Sequence, residues 1–148
     1  MEKRTVDGQP RRLCVHRKGA TRAFPADHPE VPRPFAHVGQ RVLVPGDMGR
    51  ASWVLVGEPS AMDQTFGSAC HGAGRMMSRG AAIRAAKGRS IQRELADMGV
   101  YARARSRTGL DEEQPAAYKD VSNVANAVHA AGIARKVAKL RPIGVIKG

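Results

Sequence analysis

Aromatic residues are scarce in this sequence. One Trp, two Tyr and three Phe make up 4% of its 148 residues. Proteins that bind single-stranded nucleic acid by stacking its bases need a platform of aromatic rings. With so few rings, we do not expect base stacking to be the main mode of any nucleic-acid recognition.

Cysteine and long apolar runs are also in short supply. Two cysteines, Cys14 and Cys70, are too few for a disulfide framework, which favours a reducing compartment. No apolar run approaches the ~18 residues that a membrane span requires. The first residues, MEKRTVDGQPRR, lack the apolar core of a secretory signal. We therefore expect a cytoplasmic protein with no membrane segment.

Acidic residues are outnumbered by basic ones. Twenty-five Lys and Arg face 13 Asp and Glu, which gives a formal net charge of +12. This excess predicts a polyanionic partner such as RNA, DNA or a phosphorylated ligand, although a merely basic soluble protein has the same composition. The positive charge is concentrated in residues 75–107, where nine Lys and Arg are opposed only by Glu94 and Asp97.

The hydrophobic pattern predicts an α+β fold in one main unit. Two β-rich runs, RVLVPG and SWVLVG, flank the turn PGDMGRA, and residues 11–17, 100–106 and 133–148 also favour strands. Four prolines predict a loop over residues 18–40. We assign residues 1–10 to a disordered or linking segment, and residues 11–148 to the folded unit.

Helices are predicted in four places. Residues 58–66 favour a short helix, and a second is expected from Gly74 onward. Ser90 and Asp120 precede the other two, and both are residue types that cap helix N-termini. Glycines at positions 99 and 132 are expected to end these two helices.

His71 is the first candidate functional residue. It is followed by Gly72, Ala73 and Gly74, and a helix starting near Gly72 or Gly74 would present free N–H groups to a phosphate beside the imidazole. Arg75 and Arg79 would then share one helix face and hold further phosphates. Alternatively, the histidine caps the helix and the small residues serve tight packing.

A second candidate is the turn that starts at Pro45. Its glycines, Gly46 and Gly49, suit a backbone nest for an oxyanion, and they equally suit an ordinary hairpin turn. The four remaining histidines show no metal-ligand spacing and are expected at the surface or in loops. Lys147 directly follows a β-like run, so the pattern is consistent with an ordered C-terminus.

Four segments resemble one known family. VHRKGATRAFP, VPGDMGRASWVLVG, CHGAGRMMSR and LRPIGVIKG are similar to the C-terminal part of the RtcB-family RNA ligases, which act in tRNA splicing and RNA repair. The resemblance runs from about Arg11 to Gly148. It implies that His71 is the nucleophile that takes GMP from GTP as a covalent phosphoramidate, and that Gly72 to Gly74 leave room for the nucleotide α-phosphate.

The resemblance also implies the other residues of the site. Arg75 and Arg79 would hold RNA phosphates. The guanylate pocket would include the residues that follow from the family pattern: Pro45, Gly46, Asp47, Met48, Ser52, His71, Gly72, Ala73, Gly74, Tyr118 and Lys147. Asp47 departs from the P-G-S-M form of the turn. Its carboxylate is expected to face away from the phosphates, which would leave the turn's backbone for binding.

The implied reaction joins RNA 3′-phosphate or 2′,3′-cyclic phosphate ends to 5′-hydroxyl ends, with GTP as cofactor and paired Mn²⁺ ions. The family's metal ligands lie upstream of the matched motifs, so we expect no metal site within this chain. The missing N-terminal half would then act as a partner, as a separate chain or a fused one. Two alternatives stay open: a non-catalytic module that binds RNA or guanine nucleotide, and a basic structural RNA-binding protein.

Overall fold

The computed structural model describes residues 1–147, and within that span it has five α-helices, two 3₁₀-helices and nine strands. This is the predicted α+β class. The strands are β1 (Glu2–Val6), β2 (Gln9–Leu13), β3 (Ala20–Arg22), β4 (Arg41–Pro45), β5 (Ser52–Gly57), β6 (Ser68–Cys70), β7 (Tyr101–Ala104), β8 (Ala134–Leu140) and β9 (Gly144–Lys147). The helices are α1 (Ser60–Thr65), α2 (Arg79–Ala85), α3 (Ile91–Asp97), α4 (Arg107–Glu112) and α5 (Val121–Ala130), with 3₁₀ turns at Arg33–Phe35 and Pro115–Ala117.

A three-stranded antiparallel sheet, in the order β4-β5-β8, forms the centre of the fold. Val42 and Val44 alternate with exposed residues along β4, so one face of this strand enters the core. Helix α5 covers that face with the buried residues Val121 and Ala125. The predicted turn between β4 and β5 therefore starts from a strand end fixed by the core.

A second hydrophobic cluster holds the other site-bearing elements. Ile91 and Leu95 of α3 pack with Ala102 of β7 and Leu110 of α4. Strand β9 pairs in parallel with β7, and Val145 packs against the same cluster. This pairing orders the chain through residue 147 and fixes the backbone that carries the last lysine.

The N-terminal segment differs from its prediction. Residues 1–10 were expected to be disordered or linking, but β1 and β2 form an antiparallel hairpin with Glu2 opposite Leu13. Asp7 and Gly8 make the turn with positive φ, which permits the tight connection. The predicted loop over residues 18–40 also contains β3, which pairs with β6.

The helix expected from Gly74 begins later, at Arg79. Ser78 caps it, since its hydroxyl accepts a hydrogen bond from the amide of Ala81 at 3.2 Å. The preceding backbone pairs with a distant segment instead: the amide of Met76 donates to the carbonyl of Ala117 at 2.8 Å. Gly74 has a φ of +73°, which is incompatible with a right-handed helix at that residue.

The other helix predictions are confirmed. Ser90 caps α3 and Asp120 caps α5, each by accepting from a backbone amide of the first turn. Helix α1 lies within the predicted residues 58–66. None of the helices within residues 1–147 combines the length and apolar character needed to cross a membrane.

Candidate functional site

The turn after β4 is held by its own aspartate. Asp47 Oδ1 accepts hydrogen bonds from the amides of Gly49 and Arg50 at 2.9 and 3.0 Å, and Arg50 Nε donates to Oδ2 at 2.5 Å. The Asp47 side chain has no exposed surface. The carboxylate is therefore directed into the turn, and the backbone of the turn is what faces the neighbouring space.

Arg50 also attaches this turn to the segment before α5. Its Nη2 donates to the carbonyls of Pro115 and Tyr118, both at 2.9 Å. The connection spans more than 60 residues of sequence, and it places Tyr118 beside the turn. Two clefts open at this junction.

The first cleft, called here the Lys147 cleft, has a volume of about 210 Å³. It brings together seven residues that the family resemblance implies for the guanylate pocket: Pro45, Gly46, Asp47, Met48, Ser52, Tyr118 and Lys147. Ser52 reaches it as the first residue of β5, opposite Pro45 in the ladder. Lys147 reaches it from the end of β9, where its carbonyl accepts a hydrogen bond from the Arg105 amide at 3.1 Å.

The second cleft, called here the His71 cleft, has a volume of about 390 Å³ and shares Pro45, Gly46 and Tyr118 with the first. It is also lined by the remaining predicted residues: His71, Gly72, Ala73, Gly74, Arg75 and Arg79. All the residues assigned to nucleotide or RNA phosphate therefore lie around two adjoining clefts.

The local setting of His71 differs from its prediction. It directly follows β6 rather than opening a helix, and it is exposed. The amide of Ala73 donates to the carbonyl of Pro45 at 2.9 Å, so this N–H is committed to the fold. A Cβ added at Gly72 would lie 3.3 Å from that same carbonyl, so glycine permits the close approach of the two segments.

Arg75 and Arg79 do not share a helix face. Arg75 precedes the helix, and its backbone forms an isolated bridge with Tyr118. Its guanidinium donates to the carbonyls of Met77 and Glu112 at 3.0 and 2.6 Å, which fixes its position. Arg79, the first residue of α2, keeps 70% of its side chain exposed. Arg79 is thus the freer of the two for an external phosphate.

Glu113 lines both clefts, and the sequence analysis missed it. Its Oε1 accepts from Arg75 Nη1 at 3.1 Å, while its Oε2 accepts from the Tyr118 hydroxyl and lies 3.5 Å from Lys147 Nζ. Nothing in the local sequence EEQP distinguishes it from Glu112, since its partners lie 5 to 38 residues away. Only the tertiary structure reveals this role.

The electrostatics of this group follow from its contacts. Burial raises the pKa of Glu113, but the hydrogen bond from Tyr118 and the charges of Lys147 and Arg75 outweigh it and hold the pKa below its usual value. Burial and the hydrogen bond to Glu113 raise the pKa of Tyr118. At neutral pH the site therefore contains an ionised carboxylate and a protonated phenol.

Several basic residues of the stretch 75–107 are paired within the fold. Arg89 contacts Glu94 at 2.6 Å, and Arg107 lies 3.8 Å from Asp111. Arg75 is paired with Glu113. The positive charge that this stretch presents to a ligand is therefore smaller than the sequence indicates.

Residues 1–147 contain no group of three or more His, Cys, Asp or Glu that would hold a metal ion. Cys70, next to His71, is half-buried, and burial raises the pKa of its thiol. This disfavours the thiolate and with it a cysteine nucleophile.

Comparisons with known proteins identify the family that this chain resembles. A sequence model of a family described as "tRNA-splicing ligase RtcB" matches residues 1–148. The tRNA-splicing ligases RtcB of Thermococcus kodakarensis and Aeropyrum pernix are 55% and 51% identical over 148 residues, which is all of this chain and 31% of each relative. The same-named protein of Pyrococcus horikoshii is 55% identical, with 17% of it covered.

The chain thus spans less than a third of the length of these relatives. The matched part is their C-terminal region, as the motifs indicated. With a family match over the whole sequence and more than half of the residues identical to these relatives, the chain belongs to the RtcB family of tRNA-splicing ligases.

Proposed function

We propose that this chain is the nucleotide-binding, nucleophile-bearing portion of a GTP-dependent RNA ligase. Its Lys147 cleft would bind the guanine nucleotide, and its His71 cleft would carry out the transfer and hold the RNA ends. The observation that supports this proposal is that the two clefts adjoin at Pro45 and Gly46, with His71 in one and Lys147 in the other. A nucleotide lying across this junction would present its α-phosphate to the imidazole.

The proposed chemistry begins at His71. A ring nitrogen attacks the α-phosphorus of GTP, a P–N bond forms, and pyrophosphate leaves as the bridging P–O bond breaks. An oxygen of the RNA 3′-phosphate then attacks the same phosphorus. A new P–O bond forms, the P–N bond breaks, and the imidazole is restored. The RNA 5′-hydroxyl gives its proton to solvent and attacks the activated 3′-phosphate, so that a new P–O bond joins the RNA ends while the P–O bond to GMP breaks and GMP leaves.

This chain's own residues would support those steps by position and charge. The exposed Arg79 has a planar fork of donors suited to RNA phosphate oxygens. Arg75 is mostly buried and pinned, so it would supply positive potential from a fixed place. The Asp47 carboxylate would not oppose the nucleotide phosphates, because it is directed into its own turn.

The resemblance also implies Mn²⁺, which would act as a Lewis acid at the phosphorus. The residues described here do not fit a metal site by themselves, since no group of three candidate ligands exists within positions 1–147. By the family resemblance, the metal ligands would lie in polypeptide upstream of the matched region.

An end-joining assay tests the proposal. The chain is mixed with the upstream part of the Thermococcus kodakarensis relative, GTP, Mn²⁺ and two RNAs, one ending in a 3′-phosphate and one starting with a 5′-hydroxyl. We expect joined RNA with the wild-type chain and with His129→Ala, whose histidine is exposed on α5 and lines a different cleft. His71→Ala is expected to abolish joining.

Two results would argue against the proposal in different ways. Joining that persists in His71→Ala would remove this residue from the chemistry. Binding of GMP and RNA without any joining, even with the upstream part present, would instead favour the non-catalytic binding module.

A further inference from the structure

Glu113 occupies the wall between the two clefts, and its two carboxylate oxygens serve different sides. Oε1 faces the His71 cleft, where Arg75 Nη1 lies at 3.1 Å and Arg79 Nε at 4.0 Å. Oε2 faces the Lys147 cleft, where it accepts from the Tyr118 hydroxyl and lies 3.5 Å from Lys147 Nζ. One ionised group thus organises polar side chains in both clefts.

The partners depend on Glu113 to different degrees. Arg75 is also held by two backbone carbonyls, so its position does not rest on this carboxylate alone. Lys147 is different: among residues 1–147, Glu113 is the only polar contact of its ammonium group. A lysine has a flexible four-carbon stem, so a single anchor strongly narrows the positions that its ammonium group adopts.

We propose that Glu113 is a positioning residue for the guanine nucleotide: it orients the Lys147 ammonium and the Tyr118 hydroxyl in the cleft that the nucleotide enters. This inference rests on the proposed function, because it takes the Lys147 cleft as the nucleotide site. Glu113 itself need not touch the ligand. Its effect is to order the Lys147 ammonium and the Tyr118 side chain before binding, which lowers the entropic cost of binding.

Charge alone and positioning predict opposite effects of neutralising Glu113 on nucleotide binding. Glu113 is a negative charge next to a site for an anion, so its neutralisation should strengthen nucleotide binding if charge alone mattered. If Glu113 acts by orienting Lys147 and Tyr118, the same neutralisation should weaken binding. The sign of the change therefore distinguishes the two roles.

The test measures GMP binding to the 148-residue chain by titration calorimetry. Glu113→Gln is compared with Glu112→Gln, which removes the same charge one residue away without touching Tyr118 or Lys147. We expect Glu113→Gln to weaken GMP binding by about tenfold, roughly the effect of losing one charge-assisted hydrogen bond. Glu112→Gln should change it by no more than about twofold.

A cycle with Lys147→Ala identifies the route of the effect. If Glu113 acts through Lys147, Glu113→Gln should cost much less in the Lys147→Ala background than in the wild type. Circular dichroism checks folding. Should Glu113→Gln fail to fold, Glu113→Asp, which keeps the charge but withdraws it by one methylene, serves the same comparison and should also weaken binding.

A spectroscopic titration reports on the contact without any nucleotide. The absorbance of tyrosinate, measured as a function of pH, reports the ionisation of the two tyrosines. In Tyr118→Phe only the exposed Tyr101 contributes, so this variant separates the two signals. In Glu113→Gln the pKa of Tyr118 should fall toward its ordinary value. An unchanged Tyr118 titration, or GMP binding that is unchanged or tighter in Glu113→Gln, overturns the positioning role.

Failure of the proposed function itself gives a different pattern. If wild-type chain and Glu112→Gln show no GMP binding, the Lys147 cleft is not a nucleotide site. The inference about the nucleotide falls with it, even where the Tyr118 titration shifts as expected.

Discussion

Replacement of Asp47 tests whether the turn binds a nucleotide through its backbone. The fully buried Asp47 carboxylate accepts two amide hydrogen bonds and one from Arg50 Nε. Asp47→Ala would leave those two amides without their acceptor and release Arg50. Asp47→Ser would keep one short acceptor, so it should be the milder change.

The magnitude follows from these contacts. A hydrogen bond to a charged group contributes roughly 1.5–3 kcal/mol, and the pair with the 36%-exposed Arg50 is discounted because solvent screens it. We expect Asp47→Ala to lower the free energy of unfolding by about 2–4 kcal/mol, or a melting temperature lower by about 5–15 °C for a chain of this size. Asp47→Ser should lose about half as much.

Urea unfolding followed by circular dichroism measures the stability, and calorimetry measures GMP binding to folded Asp47→Ser. Asp97→Ala, which removes an exposed carboxylate at the end of α3, is the control for charge and should be close to neutral in stability. GMP affinity should change by no more than about twofold in Asp47→Ser. The reasoning is refuted if Asp47→Ala is neutral in stability while Asp47→Ser binds GMP much more tightly, because that carboxylate would then face the ligand.

Two further predictions concern RNA and the metal. The affinity for single-stranded RNA should fall by roughly 0.7 log units per tenfold increase in salt for each phosphate contacted. The double variant Arg75→Ala with Arg79→Ala should flatten this slope, whereas Arg33→Ala, at an exposed arginine outside both clefts, should leave it as it is. An unchanged slope in the double variant would place the RNA elsewhere. The 148-residue chain alone should form no GMP adduct with GTP and Mn²⁺, because a bound metal typically contributes several kcal/mol at the transferring phosphorus, and addition of the upstream part should restore it. An adduct formed by the chain alone at the complemented rate would contradict our placement of the metal ligands.

The elements with strong local signals were predictable from the sequence. Val42 and Val44 mark a half-buried strand by alternation alone, and the hairpin partner follows within a few residues. Ser90 and Asp120 cap their helices through amides only two or three residues away. In each case the stabilising contact lies close in sequence, so a local pattern carries it.

The elements that depend on distant partners were not predictable. The segment after His71 contains good helix formers, yet Met76 and Met77 donate to the carbonyl of Ala117 and the helix starts at Arg79. The parallel pairing of β7 with β9 joins strands about 40 residues apart. Local propensity competes with such contacts and loses when tertiary pairing satisfies the same backbone groups.

The site shows the same division. The residue chemistry around His71 suggested a phosphate site but left a capping histidine open, and the assignment of Ser52, Tyr118 and Lys147 came from the family resemblance. The fold places these residues around adjoining clefts. Neither the residue chemistry nor the family resemblance identified Glu113, because its contacts with Lys147 and Arg75 join residues 34 and 38 positions apart.

The central claim is that His71 carries the guanylyl group. Its most direct test is mass spectrometry of the chain after incubation with GTP, Mn²⁺ and the upstream part of a relative, followed by proteolysis and peptide mapping. The account predicts one guanylyl group, on the peptide that contains His71, with an acid-labile bond typical of a phosphoramidate, and no such group in His71→Ala. A guanylyl group on any other residue, or one retained in His71→Ala, would contradict it.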